Sequence, residues 1–403
     1  MLDKNFNPIL RFMVCSDVHY KDENSVERER MAHAIQKAYE LSEAQQYNSL
    51  DAIYVVGDFA NSGSPTQMQA FKDTLDENVK EGTVWNVSLA SHEFFYDGEE
   101  NATKRLREIF NIEPNTHRVI NGFHFISVGC TRGCHFDEPQ RKFAAEALKE
   151  ATSDSHKKPI FFFQHPHVTN TVYGSIAWGE DELYDILCNY PQIVDFSGHS
   201  HAPINDPRSI YQKHFTCLGT GSLSYFESDE FDKYYGTCFP NNQKAAQMLL
   251  VEADKEGRVR IYPYDLITDN FFPYVWKIDE PWNPQSFIYT DERYKTTDAP
   301  WFDEKSEIYV SVTDNNSLHV KFSQAYVKSD YVNDYNVYVK RKDGTVAAEK
   351  NLWSDYYFYD MPKYLELEFK NLDCGEYYVE IYAGSFWKTL SEKPLKSNFV
   401  KIL

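Results

Sequence analysis

The chain has 403 residues, of which 42% are hydrophobic and 16% aromatic, enough to bury more than one core, and no window approaches the ~18 to 20 unbroken apolar residues of a membrane span. The 41 Lys and Arg against 61 Asp and Glu give a net charge of −20, which repels a phosphate backbone and excludes large nucleic acids as partners unless a metal or basic patch reverses the field locally. The seven cysteines are odd in number and scattered, which fits neither a disulfide scaffold nor a zinc ribbon. With no basic and apolar leader ahead of Phe12, the expectation is a cytoplasmic protein.

In chain order, "FMVC" reads as a buried strand that breaks at Asp17-Val18-His19. "SVERERMAHAIQKAYELSEAQQ" sets Met31, Ala34, Ile35, Ala38 and Leu41 on one helical face, and "DAIYVVGD" follows as a strand. "SPTQMQAFKDTLDENV" opens with a Ser-Pro start signal and leads to "TVWNVSLA"; "PQRKFAAEALKEA" leads to "KPIFFFQHP". This βα alternation implies a largely parallel sheet covered by helices, with functional loops at the carboxyl ends of its strands. From about Ser209 the pattern changes to consecutive strands.

The domain expectation is a first domain over 1–269, an aromatic and proline-rich connector over 270–302, and a β-sandwich over 303–403. In the last segment, "EIYVSVTDNNSLHVKFSQA" is a hairpin candidate across Asp314-Asn315-Asn316, and "KRKDGTVAA" holds an Asp-Gly turn. "LDCGEYYVEIYAG" alternates Tyr377, Val379, Ile381 and Ala383 on one face.

Ligand types accumulate at the strand ends: Asp17 and His19, Gly57-Asp58, Ser91-His92-Glu93, His165, and Gly198-His199-Ser200-His201. Gathered at one rim, these would be buried charges that need pairing or a metal to offset their desolvation. The donors are oxygen and nitrogen, which suits Mn, Fe, Zn or Ni. Asp58, on the second strand, is the natural bridge between two cations ~3.5 to 4 Å apart, a pair that would clamp a phosphate and share a hydroxide for hydrolysis.

In order and spacing these blocks resemble the calcineurin-like metallophosphoesterases, whose motifs run Asp-x-His, Gly-Asp, Gly-Asn-His-Glu, a lone His, and Gly-His-x-His. The resemblance covers roughly residues 10 to 266 and implies an αββα sandwich with two divalent transition metal ions. It puts Asp17, His19, Asp58 and His201 on one metal and Asp58, His165 and His199 on the other, with His92 near the leaving group. One block departs: Ala90-Ser91-His92-Glu93 stands where the family has Gly-Asn-His-Glu. Ser91, the position that would complete the second metal, is one heavy atom shorter than Asn and a poor neutral ligand. A weak second site, or one filled by water, is therefore expected.

Asn61 and Arg132 are candidates for phosphate oxygens, the arginine through a bidentate fork. His167, Tyr96 and Tyr225 are candidate pocket walls, and His92 hydrogen-bonded to Glu93 is the plain alternative to its catalytic role. Cys130 and Cys134, with His135 beside them, have C-x3-C spacing without a second pair nearby, so buried thiols are expected rather than a zinc site. The last segment resembles a fibronectin type III domain at the Leu372–Gly375 turn running into Tyr377.

The expected function is a metal-dependent phosphoesterase, a hydrolase in which a metal-activated hydroxide attacks a small phosphodiester and His92 assists the departing alcohol. The alternatives are a phosphomonoesterase or pyrophosphohydrolase, and a weakened protein that binds phosphorylated ligands because position 91 is Ser. The expected partner is a small phosphate ester; the sequence does not set the oligomeric state.

Overall fold

The structure is a computed structural model describing residues 2–22, 24–244, 246–313, 316–328 and 330–403. The chain divides into two compact units, Met1–Thr290 and Asp291–Leu403.

In the first unit, strand Pro8–Cys15 pairs in parallel with Ala52–Val55, which pairs in parallel with Val84–Val87. On its other edge it meets Gln247–Asp254, antiparallel, followed by Val259–Asp265. A second sheet holds Phe123–Val128, Ile160–Phe163, Ile193–Ser197 and Thr216–Gly219 in parallel, closed at its edges by antiparallel Asn115–Ile120 and Ile210–Gln212. The single parallel sheet read from the βα alternation is thus two mixed sheets. Short, wholly apolar runs look alike whether they lie in one sheet or two.

The period of two along each strand explains why these runs are apolar throughout. Phe12 and Tyr54 of the first sheet face Phe125, Phe161 and Phe163 of the second, with ring centroids 4.7 Å apart for Phe12–Phe161 and 4.2 Å for Tyr54–Phe163. The alternate residues Met13, Cys15, Ile53 and Val55 turn outward into the cluster that holds Met31, Ala34, Ile35 and Ala38 of helix Val26–Glu43. Ile160 and Phe162 do the same under helix Glu138–Asp154 through Ala144, Ala147 and Leu148. Helix, sheet, sheet and helix therefore stack as four layers, with one aromatic core between the sheets and one apolar core under each helical layer.

The Ser-Pro signal is read as expected: helix Pro65–Asn78 starts with Pro65 at its first turn and Ser64 Oγ accepting from the Gln67 amide at 3.3 Å.

The second unit contains two sheets. Ile308–Thr313, Ser317–Ser323 and Tyr364–Phe369 form one; Val346–Trp353, Val332–Arg341 and Gly375–Ser385, with two short edge strands, form the other. Leu318, Val320 and Phe322 share a core with Val337 and Val339 and with Tyr377, Val379, Ile381 and Ala383. Tyr377 Oη donates to the Asp373 carbonyl at 2.7 Å, pinning the turn before its strand. Of the proposed Asp314-Asn315-Asn316 hairpin turn, Asp314 and Asn315 lie outside the described residues; the strands that flank it pair in register from Thr313–Ser317 to Ile308–Phe322.

Candidate metal centre

Strands of both parallel cores deliver polar residues just past their carboxyl ends. Asp17 and His19 follow Pro8–Cys15, Asp58 follows Ala52–Val55, His165 follows Ile160–Phe163, and His199 and His201 follow Ile193–Ser197. Asp17, His19, Asp58, His199 and His201 all adopt left-handed backbone, with φ between 47° and 70°. Non-glycine residues there are strained, and strain of this kind persists only where the surroundings over-determine the conformation.

Two glycines permit the convergence. A Cβ at Gly57, whose φ is +80°, would stand 2.4 Å from His165 Nδ1 and 2.8 Å from Ala90 Cβ. One at Gly198 would stand 2.6 Å from Asp17 Oδ2. Through Gly198 the backbone amide of His199 reaches Asp17 Oδ2 at 3.1 Å, tying the second sheet's loop to the first sheet's carboxylate.

The donor atoms fall into overlapping groups whose members lie within 4.8 Å of one another: Asp17, His19 and His201; Asp17, Asp58 and His165; and His19, Asp58 and His92. Asp17, His19, Asp58, His165 and His201 are all buried. His201 Nε2 lies 3.3 Å from Asp17 Oδ1 and 3.0 Å from His19 Nε2, while its Nδ1 faces the Tyr225 carbonyl at 3.0 Å. A ring that donates through Nδ1 offers a lone pair at Nε2, so His201 turns a nitrogen lone pair toward the Asp17 carboxylate, with His19 Nε2 4.0 Å from the same oxygen.

His165 is arranged alike. Its Nδ1 meets the Val56 carbonyl at 2.8 Å, and its Nε2, 3.0 Å from Asp58 Oδ2 and 3.8 Å from Asp17 Oδ1, has no hydrogen-bond partner. A wholly buried nitrogen aimed at two carboxylates without a hydrogen bond is what a divalent cation would satisfy. The oxygen and nitrogen donors suit such an ion.

The electrostatics of the cluster agree. Burial pushes the Asp17 carboxyl up to about 7 and the His19 imidazole down to about 3. Burial also opposes the charges on Asp58 and His165, yet their mutual attraction outweighs it, holding Asp58 well below the carboxylate range and His165 above the imidazole range. The charge held on Asp58 is thus one that a cation at this place would answer.

Ser91 and His92 sit beside Asp58. Ser91 Oγ lies 3.4 Å from both Asp58 oxygens, and the His92 amide donates to Asp58 Oδ1 at 3.0 Å. The His92 ring is fixed by the Asn61 carbonyl at 2.8 Å from Nδ1, not by Glu93, and packs edge-on against His19 at 4.3 Å. Glu93 is wholly buried and accepts from the amides of Asp58, Ala60 and Ala90, joining two strand-end loops; burial holds its carboxyl well above the usual range.

The other candidates separate. Tyr225 packs on His201 with centroids 4.2 Å apart. His167 is buried between the Ser197 and Ser200 hydroxyls, at 2.7 and 2.6 Å. Tyr96 is exposed. The Arg132 side chain, 58% exposed, pairs with Asp137 at 2.7 Å rather than with any residue of the cluster.

Sequence reasoning read Cys134, with Cys130, as a buried thiol rather than a ligand. Its Sγ lies 3.9 Å from His199 Nδ1, and Cys134, His165 and His199 form a further group of donors within 4.8 Å. The thiol follows strand Phe123–Val128, a strand of the parallel core to which no ligand had been assigned; that vacancy in the pattern was the available signal.

Residues 10–203 match the family described as calcineurin-like phosphoesterase. This stretch is a calcineurin-like phosphoesterase domain. The phosphoesterase domain thus contains every candidate ligand from Asp17 to His201. No curated protein matches the sequence.

Among solved structures, purple acid phosphatase PPD1 from yellow lupin (Lupinus luteus) seeds is similar over 67% of this chain and 53% of its own, at 11% identity and a TM-score of 0.48. The chain therefore spans about half the length of that structure. The β-glucuronidase of Parabacteroides merdae aligns over 98% of this chain and 61% of its own, at 8% identity and a TM-score of 0.25. Latent PorU from Porphyromonas gingivalis aligns over 41% of this chain and 12% of its own, at 8% identity and a TM-score of 0.18. Among the described residues, no helix is long and apolar enough to cross a membrane.

Proposed function

We propose that this protein hydrolyses small phosphate esters at a centre of two divalent transition metal ions, and that a phosphodiester is its preferred substrate. The observation that carries the reading is the buried His165 Nε2, without a hydrogen bond and aimed at Asp58 and Asp17 inside a calcineurin-like phosphoesterase domain. Asp17, His19, Asp58 and His201 would hold one ion, and Asp58, His165 and His199 the other. Bound there, the ions would supply Lewis acidity to a phosphoryl oxygen and lower the pKa of water toward neutrality.

The chain's own residues do the rest. The Val56 and Tyr225 carbonyls fix the tautomers of His165 and His201, so that each presents Nε2 to the centre. His92, held at Nδ1 by the Asn61 carbonyl, has its Nε2 available to carry a proton to a departing alkoxide. Asn61 thus has a backbone task apart from any contact of its side chain with phosphate. Arg132 would have to exchange Asp137 for a phosphate oxygen to take part. The diester preference rests on the family resemblance alone.

The test is turnover of p-nitrophenyl phosphate and bis(p-nitrophenyl) phosphate after reconstitution with Mn, Fe, Co, Ni or Zn. The reading expects cleavage of the diester to exceed that of the monoester, and dependence on added metal. Cleavage of the monoester alone would replace the diester reading with a phosphomonoesterase. Metal uptake without cleavage of either would leave a phosphate-binding protein.

A further inference from the structure

The three donors of the proposed second site would leave its ion short of protein ligands, because position 91 carries a hydroxyl. Ser91 Oγ is already turned to Asp58, 3.4 Å from both carboxylate oxygens. A thiol also reaches this group of donors. Cys134 Sγ lies 3.9 Å from His199 Nδ1, and Cys134, His199 and a ring nitrogen of His165, whose buried Nε2 lacks a hydrogen bond, form a group of donors within 4.8 Å of one another. A cation bound by thiolate at ~2.3 Å and by imidazole at ~2.0–2.1 Å in tetrahedral geometry holds the two donors about 3.5 Å apart, so the observed spacing needs only a small adjustment.

The loop that carries Cys134 is set independently of the thiol. Thr131 and His135 exchange backbone hydrogen bonds at 2.8 and 2.9 Å, and Gly133 takes a φ of +91° between them. The Cys130 amide donates to the Leu89 carbonyl at 3.0 Å, which anchors the loop beside the Ala90-Ser91 turn. His135 Nδ1 meets Glu182 at 2.8 Å and Glu180 at 3.2 Å on the far side. Backbone geometry therefore holds Cys134 beside His199 at the edge of the apolar cluster in which Cys130 is buried with Ala90 and Ile126.

We propose that Cys134 Sγ is a protein ligand of the second metal ion, with His165, His199 and the bridging Asp58, in the place that the family gives to an asparagine. The inference rests on the two-ion reading above. Coordination would exchange the S–H bond for a sulfur–metal bond and release the proton to water. The two subsites would then differ in chemistry: both would share the Asp58 carboxylate and imidazoles, but only the second would add a thiolate, which favours softer ions such as Zn or Co over Mn.

The test uses the full chain, stripped of metal and reloaded with Co(II) alone, with metal per chain from elemental analysis and the near-ultraviolet spectrum read together. The expected result is about two Co per chain with a sulfur-to-cobalt charge-transfer band that C130S keeps and C134S loses, metal falling toward one per chain in C134S. Adding S91N to C134S should restore the second ion without restoring the band. C134D, which keeps an anionic ligand, should hold metal and lack the band, so the test survives if C134S does not fold.

Two Co per chain with no charge-transfer band, or a band that persists in C134D or C134S, would overturn the Cys134 assignment and leave the two-ion reading standing. Failure of the wild-type chain to take up Co, Zn or Mn would overturn the two-ion reading, and the Cys134 assignment with it.

Discussion

His165 Nε2 stands 3.0 Å from Asp58 Oδ2, and this contact joins the two sheets at the centre of the cluster. His165 follows a strand of the second sheet and Asp58 a strand of the first. Because Asp58 also lies within reach of His19 and His92, it is the carboxylate that both proposed subsites share. Replacing it with Asn would remove the negative charge between two divalent ions ~3.5–4 Å apart, whose repulsion would then be unscreened. Asp58→Asn is expected to carry less than one metal ion per chain by elemental analysis under conditions that load the wild type with two. An unchanged metal content would show that Asp58 does not bridge.

The second prediction concerns Gly57, where a Cβ would meet His165 Nδ1 at 2.4 Å and the backbone stands at a φ of +80°. Gly82 is a matched control: its φ is +91°, but a Cβ there meets nothing within 4 Å. Both substitutions to Ala incur the left-handed backbone penalty, on the order of 1–2 kcal/mol. Only Gly57→Ala also drives His165 off the Val56 carbonyl. The melting temperature should fall in both variants, and metal should be lost from Gly57→Ala alone. Equal melting losses with full metal in both would mean that the pocket has room that the glycine does not protect.

What the sequence disclosed follows from where chemistry sits relative to periodicity. The strand ends were legible because an apolar run that stops at Asp or His leaves few readings, and the helix at Pro65 was legible because Ser-Pro encodes its own cap. The face-to-face arrangement of two sheets was not legible from the runs alone, since Phe12 and Met13 are equally apolar although one faces the other sheet and the other a helix. Cys134 was read as a buried thiol for a different reason. It lies four residues from Cys130 in sequence, which invites reading the two as a pair, whereas its neighbour in space is His199, 65 positions on.

A third prediction concerns the independence of the first unit. Every candidate ligand, both sheets and all three long helices lie between residues 8 and 278, and the unit ends at Thr290. Its cores are filled by its own side chains. Deleting residues 291–403 is therefore expected to leave a protein that melts cooperatively and binds metal at the wild-type stoichiometry. Loss of cooperative melting in the truncated chain would show that the last segment belongs to the same folding unit.

The last prediction concerns Asp195, a carboxyl buried in the middle of strand Ile193–Ser197 and away from the candidate ligands. Gln164 Nε2 donates to its Oδ2 at 3.0 Å, but its Oδ1 is buried without a hydrogen bond. Burial pushes this carboxyl up to about 8, against a weaker downward pull from Gln164. In an unfolded chain it would titrate near ~3.9. Between these values the folded state holds a proton that the unfolded state releases, so the group's contribution is complete below the unfolded pKa and declines as pH rises toward 8. Asp195→Asn removes that decline, because the amide stays neutral at every pH. The variant should match the wild type near pH 4 and become progressively more stable than it up to about pH 8, by on the order of 2–4 kcal/mol at pH 7. Thermal melts of both proteins across this range, with chelator present so that bound metal does not contribute, would check it. A difference that stays flat from pH 4 to pH 8 would mean that Asp195 is ionised in the fold, with its charge answered by a group other than Gln164.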